Sequence, residues 1–243
     1  LLGMFQLHVD RMTKLIGIDY EAITVRKYEI VKGQLKGFIQ WKYGKNDILL
    51  EQLKLNFLTE LDFYLKTKLN QRQTTVNKAI QRVRTVIKTA IGEGYIISDP
   101  FILFKPKKTE FSLVFLTADE LEKLENYNFT QTRLEEVRDC YIFCCYTGLP
   151  YLEMAALTRN HITVGFDDDL WINMYRQKTK KQLSIPLLPK AGRIIEKYNG
   201  LFDDEEIKDN KPLLPVISNQ KFNSYLKEIA DIVGISKRLT HHT

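Results

Sequence analysis

The sequence has no run of about 18 uninterrupted apolar residues, so no segment is expected to cross a bilayer as a helix. Its first ten residues, "LLGMFQLHVD", lack the basic start and small-residue cleavage site of a secretory signal. Cysteine is scarce: Cys140, Cys144 and Cys145 crowd one apolar segment, too few and too close for a disulfide framework. Free cysteine behaves as a small buried apolar residue, which favours a reduced structural role over metal binding. These absences leave a soluble, cytoplasmic protein with no membrane partner as the expectation.

What is present is enough apolar material, 44% of 243 residues, for one large core or two modest ones. The net charge of +6 is unevenly divided. Residues 1–108 hold 19 Lys and Arg against 10 Asp and Glu, whereas residues 109–243 hold 17 against 20. A basic first half suits a polyanion such as nucleic acid, although a solvated helix surface accounts for many such surpluses.

Four helices are expected in that half, over residues 4–17, 20–44, 47–69 and 74–94. In the last, Val76, Ile80, Val83, Ile87 and Ile91 recur at steps of three and four and form one inward stripe. Lys78, Arg82, Thr85, Thr89 and, at the edge, Lys88 fall on the opposite side, where cations attract phosphates and hydroxyls fix register. Arg26, Lys27, Lys32 and Lys36 add a second cationic row on the second helix, so that a groove between two rows is plausible. An ordinary solvated face is the alternative.

Pro100, Pro106 and the triplet Lys105, Lys107 and Lys108 interrupt helical periodicity and mark a linker, placed at 105–116 between a helical domain at 1–104 and a second domain at 117–243. Thr117 and Glu120 have the spacing of a capping box. A buried helix over 133–148 brings Leu134, Val137, Tyr141, Cys144, Cys145 and Gly148 to one face. The pattern then changes to short strands, His161–Val164, Leu170–Tyr175 and Gln182–Pro186, followed by helices near 190–198 and 218–233. Within "TGLPYLEMAAL" Gly148 can end one helix, and Pro150 suits the first turn of the next.

The order of "CYTGL", Glu153, "LTRNHI", "RQKTKKQLSIPLLPKA" and "SNQKFNSYLKEIADIVGISKRLTHHT" resembles the tyrosine recombinase family, especially the integrases of conjugative transposons. The preceding bundle, down to "YIISDPF", is similar to that family's core-binding domain. The resemblance implies a mainly α fold: a four-helix, SAM-like core-binding domain followed by an α+β catalytic domain with a small antiparallel three-stranded sheet. It implies DNA integration or recombination on double-stranded DNA, with protomers acting as a homotetramer on recombining DNA and no cofactor, metal or nucleotide. A tyrosine hydroxyl attacks a backbone phosphorus, giving a 3′-phosphotyrosine and a free 5′-hydroxyl that attacks a partner strand, so that one displacement becomes two.

Cations and donors must surround the phosphorus as charge develops on its oxygens. Lys178 matches the family's hairpin lysine, which donates a proton to the leaving 5′ oxygen, with Lys180 and Lys181 beside it for backbone contacts. His242 matches the first residue of the His-x-x-Arg element, and Glu153 the acidic residue that supports the catalytic loop. Taken singly, these three also fit a basic hairpin tip, a surface imidazole and a solvated carboxylate. Two departures stand out. Pro150 occupies the place of the first catalytic arginine, and the motif's arginine, the later His or Trp and the nucleophilic tyrosine are expected beyond Thr243. No counterpart of the family's arm-site domain is expected in this sequence either. Two functional readings remain open, a DNA strand transferase and a non-catalytic, recombinase-like DNA-binding accessory or regulatory protein; an unrelated helical scaffold for protein partners is a third.

Overall fold

The stripe expected on the fourth helix is buried: Val76, Ile80, Val83 and Ile87 lie in the core, joined by Ala79, Val86 and Ala90. The structure is a computed structural model describing residues 1–110, 112–199 and 210–243, and it divides into two units, Leu1–Phe111 and Ser112–Thr243. The boundary falls inside the segment expected as the linker.

The first unit contains α1 (Leu2–Lys14), α2 (Ala22–Tyr43), α3 (Leu55–Thr67) and α4 (Gln73–Gly92). Their apolar faces share one core built on Phe5, Phe38, Phe57, Leu61, Val83 and Phe101. Phe38 is the hub of its aromatic packing, edge-on to Phe57 with ring centroids 5.1 Å apart. Residues after α4 remain on this unit, since Asn77 donates to the carbonyl of Lys107 at 2.8 Å and Lys107 lies 3.5 Å from Asp62.

One expected helix boundary is not met in this unit. The helix expected over 47–69 begins only at Leu55, and Leu50–Gln52 forms a separate 3-10 turn. Asp47 is engaged elsewhere: its carboxylate accepts from the backbone N–H groups of Leu2 at 2.9 Å and Gly3 at 3.4 Å, capping donors of α1 that have no partner within their own helix. A long-range cap therefore overrides the local helical pattern.

The second unit begins with α5 (Ala118–Asn126), whose Thr117–Glu120 capping box is complete in both directions. α6 (Thr132–Thr147) is buried nearly all round, and α8 (Pro189–Asn199) and α9 (Asn219–Val233) pack against it. Buried within α6, Arg138 Nε lies 2.6 Å from Asp139 Oδ1. One guanidinium nitrogen of Arg138 also donates to the carbonyls of Leu124, Glu125 and Tyr127 at 2.8–3.1 Å, satisfying the exposed end of α5. Lys197 and Tyr198 of α8 reach the same Asp139 at 2.7 and 2.8 Å. Buried charge is thus paired on every side.

Between α6 and α8 lie α7 (Tyr151–Ala155) and an antiparallel sheet ordered β1 (Ile162–Val164), β2 (Leu170–Tyr175), β3 (Gln182–Pro186). His161, expected at the start of β1, instead closes a 3-10 turn, and its Nδ1 accepts from the Thr158 N–H at 3.0 Å. Of the cysteines expected in the core, Cys140 and Cys144 are buried and Cys145 is exposed. Burial, with the Asp139 charge second, pushes the Cys140 thiol up to about 12.

Candidate functional site

The turn between α6 and α7 is set by two residues. Gly148 adopts the left-handed conformation, φ +68°, and its N–H donates to the carbonyl of Cys144 at 2.8 Å, closing α6. Pro150, at φ −64° and ψ 158°, is the N-cap of α7. Its carbonyl accepts from the Met154 N–H at 3.0 Å. The bend needs neither charge nor side-chain donor at position 150.

The β2–β3 hairpin forms the second wall. Successive side chains of a strand alternate between faces. Ile172 and Met174 point into the core opposite Ile185 and Leu183, and Arg176 continues the same parity one residue past the end of β2. Its backbone is held by two bonds, Arg176 N–H to Lys181 carbonyl and Lys180 N–H to Arg176 carbonyl, both 2.8 Å. The next N–H, of Gln177, donates at 3.1 Å to Oε1 of Glu153, which is 2% exposed. Glu153 is therefore a buried latch between α7 and the hairpin and not a solvated carboxylate.

These elements enclose a cleft of about 230 Å³, lined among others by Leu149, Pro150, Cys145, Arg176, His241 and His242. The terminal turn that carries the histidines is fixed by Thr240 N–H to Thr243 Oγ1 at 2.8 Å and by Tyr141 Oη donating to the Thr243 carbonyl at 3.1 Å. The two imidazoles lie 3.7 Å apart between centroids, with His241 half-buried and edge-on to Tyr151. Burial, and secondarily the charge of His242, hold His241 below its ordinary value of 6.5. Of the residues expected from sequence, the cleft brings together Pro150 and His242, with Glu153 one hydrogen bond behind. Lys178 is exposed at the hairpin tip, two residues from Arg176, and does not line the cleft; Lys180 and Lys181 are exposed beside it.

In the first unit, Lys27, Lys78 and Arg82 line one groove of about 220 Å³ between α2 and α4. Lys78 also borders a larger groove of about 550 Å³ with Asn77, Arg84, Lys88 and Pro106. Arg84, passed over in the sequence, has a buried Nε without a hydrogen-bond partner. Arg82 packs over the Tyr28 ring at 5.8 Å and donates to the Lys78 carbonyl at 3.0 Å. Arg26 is exposed on α2 and lines neither groove. The threonines differ from expectation: Thr85 and Thr89 donate their hydroxyl protons to carbonyls four residues back, at 3.0 and 3.2 Å. Thr85 still lines the larger groove beside Lys78 and Lys88. Lys32 is likewise engaged, with Gln6.

A family model described as the phage integrase SAM-like domain matches residues 1–111. Across the whole chain the fold is similar to lambda integrase, residues 75–356, solved as a dimer bound to a COC′ core site; the TM-score is 0.74 at 14% identity, covering 100% of this chain and 82% of that one. The first unit therefore matches the phage integrase SAM-like domain, and the chain as a whole has the fold of these integrases. The Tn1549 transposon integrase, residues 82–397, solved in complex with a circular intermediate DNA, gives a TM-score of 0.73 at 14% identity, covering 99% of this chain and 82% of that chain. A lambda integrase tetramer bound to a Holliday junction gives 0.69 at 15%, covering 97% of this chain and 66% of the other. No curated protein matches the sequence. The mainly α architecture with one small three-stranded sheet is thus the integrase fold, and no described helix is long and apolar enough to cross a membrane.

Proposed function

We propose that this chain binds duplex DNA and belongs to a site-specific recombinase that cuts and rejoins strands through a 3′-phosphotyrosine. The observation that carries the reading is the convergence of Lys27, Lys78 and Arg82 on one groove, in the unit that matches the phage integrase SAM-like domain. Arg26 and Lys88 add phosphate contacts on the same unit, and Lys180 and Lys181 add others on the second unit. In the second unit His242 donates to a phosphoryl oxygen, and Glu153 keeps the hairpin in place beside it. Lys178 reaches the leaving 5′ oxygen from the exposed hairpin tip. Protomers assemble as tetramers on recombining DNA, a reading supported by the lambda integrase tetramer on a Holliday junction.

Binding of a labelled 30-base-pair duplex tests this. The log-log slope of affinity against salt should be about −0.9 for each phosphate neutralised, and Lys78→Ala should make it shallower by about that much. No binding at about 50 mM salt, a regime in which phosphate contacts dominate, would sink the proposal. Pro150 favours a second reading, a recombinase relative that binds sites without cutting them, because proline offers a phosphate neither charge nor donor. The two differ on a nicked suicide duplex: a strand transferase with its nucleophile becomes covalently attached, whereas an accessory protein only binds.

A further inference from the structure

The cation that Pro150 does not provide has a neighbour able to provide it. Arg176 follows Ile172 and Met174 on the inward face of β2, is half-buried, and lines the same small cleft as Pro150 and both histidines. Its backbone is pinned on each side, by Lys180 and Lys181 across the hairpin and by Glu153 through the adjoining Gln177 N–H. Its guanidinium makes no ion pair with any described residue; the buried carboxylate of Glu153 is spent on that backbone N–H. By contrast Arg138, a buried arginine of the same unit, is paired to Asp139 and three carbonyls. A half-buried guanidinium with no counter-ion among the described residues, on a turn held by three backbone hydrogen bonds beside two imidazoles, is a site for an anion that presents several acceptor oxygens.

We propose that Arg176 supplies, from the base of the β2–β3 hairpin, the phosphate-gripping guanidinium whose place after "TGL" is taken by Pro150. The inference rests on the recombinase reading above. The charge has moved from one wall of the cleft to the other, with the bend at Gly148–Pro150 kept as structure. Arg176 holds a non-bridging oxygen of a DNA phosphate by charge-assisted hydrogen bonds, and no bond to phosphorus is made or broken by it.

The test uses this chain with inorganic phosphate as probe, followed by nitrogen-15 NMR of arginine Nε–H and backbone amides. Saturable shifts are expected at Arg176, His242 and the Gly148–Leu149 amides. Arg176→Gln should weaken that binding about tenfold or more, the loss of a charge-assisted hydrogen bond. Adding Pro150→Arg to Arg176→Gln should restore it, and melting curves establish that both variants fold. Phosphate that shifts other cations but not Arg176, or binding undiminished in Arg176→Gln, overturns the assignment. Failure of Pro150→Arg to restore binding overturns the exchange between the two walls. Duplex binding is measured alongside: its presence with a negative phosphate result removes only the role of Arg176, whereas its absence removes the recombinase reading itself.

Discussion

The carboxylate of Glu153 and the backbone N–H of Gln177, 24 residues apart, meet at 3.1 Å. Since the carboxylate is buried, truncating it strands a donor at the base of the hairpin. Glu153→Ala should cost about 1–3 kcal/mol of stability, the usual penalty for an unsatisfied buried group. Glu153→Gln keeps an acceptor oxygen and should lose less. Urea denaturation gives the magnitude, and hydrogen exchange at the Gln177 amide gives the location; an amide equally protected in Glu153→Ala means that the latch does not hold the hairpin.

Gly148 lies at φ +68° with no atom within 4 Å of the place a Cβ would occupy. The cost of Gly148→Ala is therefore backbone strain without a clash, about 1–2 kcal/mol. Gly148→Asn should cost less, because asparagine tolerates the left-handed region better. Equal denaturation midpoints for glycine and alanine would show that the turn changes conformation to escape the strain.

His241 is held below 6.5, chiefly by burial. Because the unfolded chain takes up a proton more readily there than the folded one, its contribution is complete above the unfolded value and is lost as pH falls from about 6.5 through the lower folded value. Comparing urea midpoints at pH 7.5 and pH 5, His241→Asn should lose less stability on acidification than the parent. An identical acid loss in the two proteins removes His241 as its source.

The fold was legible wherever periodicity alone decides it. The stripe of α4, the capping box at Thr117 and the alternation of β2 each state an element in their own residues. The stretch 47–54 was not legible, because its conformation depends on Asp47 capping a helix 45 residues earlier. The site was half legible. Pro150 and Glu153 announce themselves by position, but Arg176 sits in "RQKTKK", where five residues of similar polarity precede the next strand. Its signal is parity, inherited from Ile172 and Met174, and it becomes meaningful only once the strand is known to end at Tyr175. Thr85 and Thr89 add a feature the periodicity did not state: a helix offers their hydroxyls carbonyls four residues back, and both donate to them.

The shared cleft of Pro150 and Arg176 bears on how such proteins are sorted. A motif written as a row of columns tests whether one letter stands at one place along the chain, and it rejects this sequence at Pro150. A motif written as a volume with a cation somewhere in its boundary accepts it. If Arg176 carries that charge, the site is defined by the address of a cation in space, reached from either of two segments 26 residues apart in the chain.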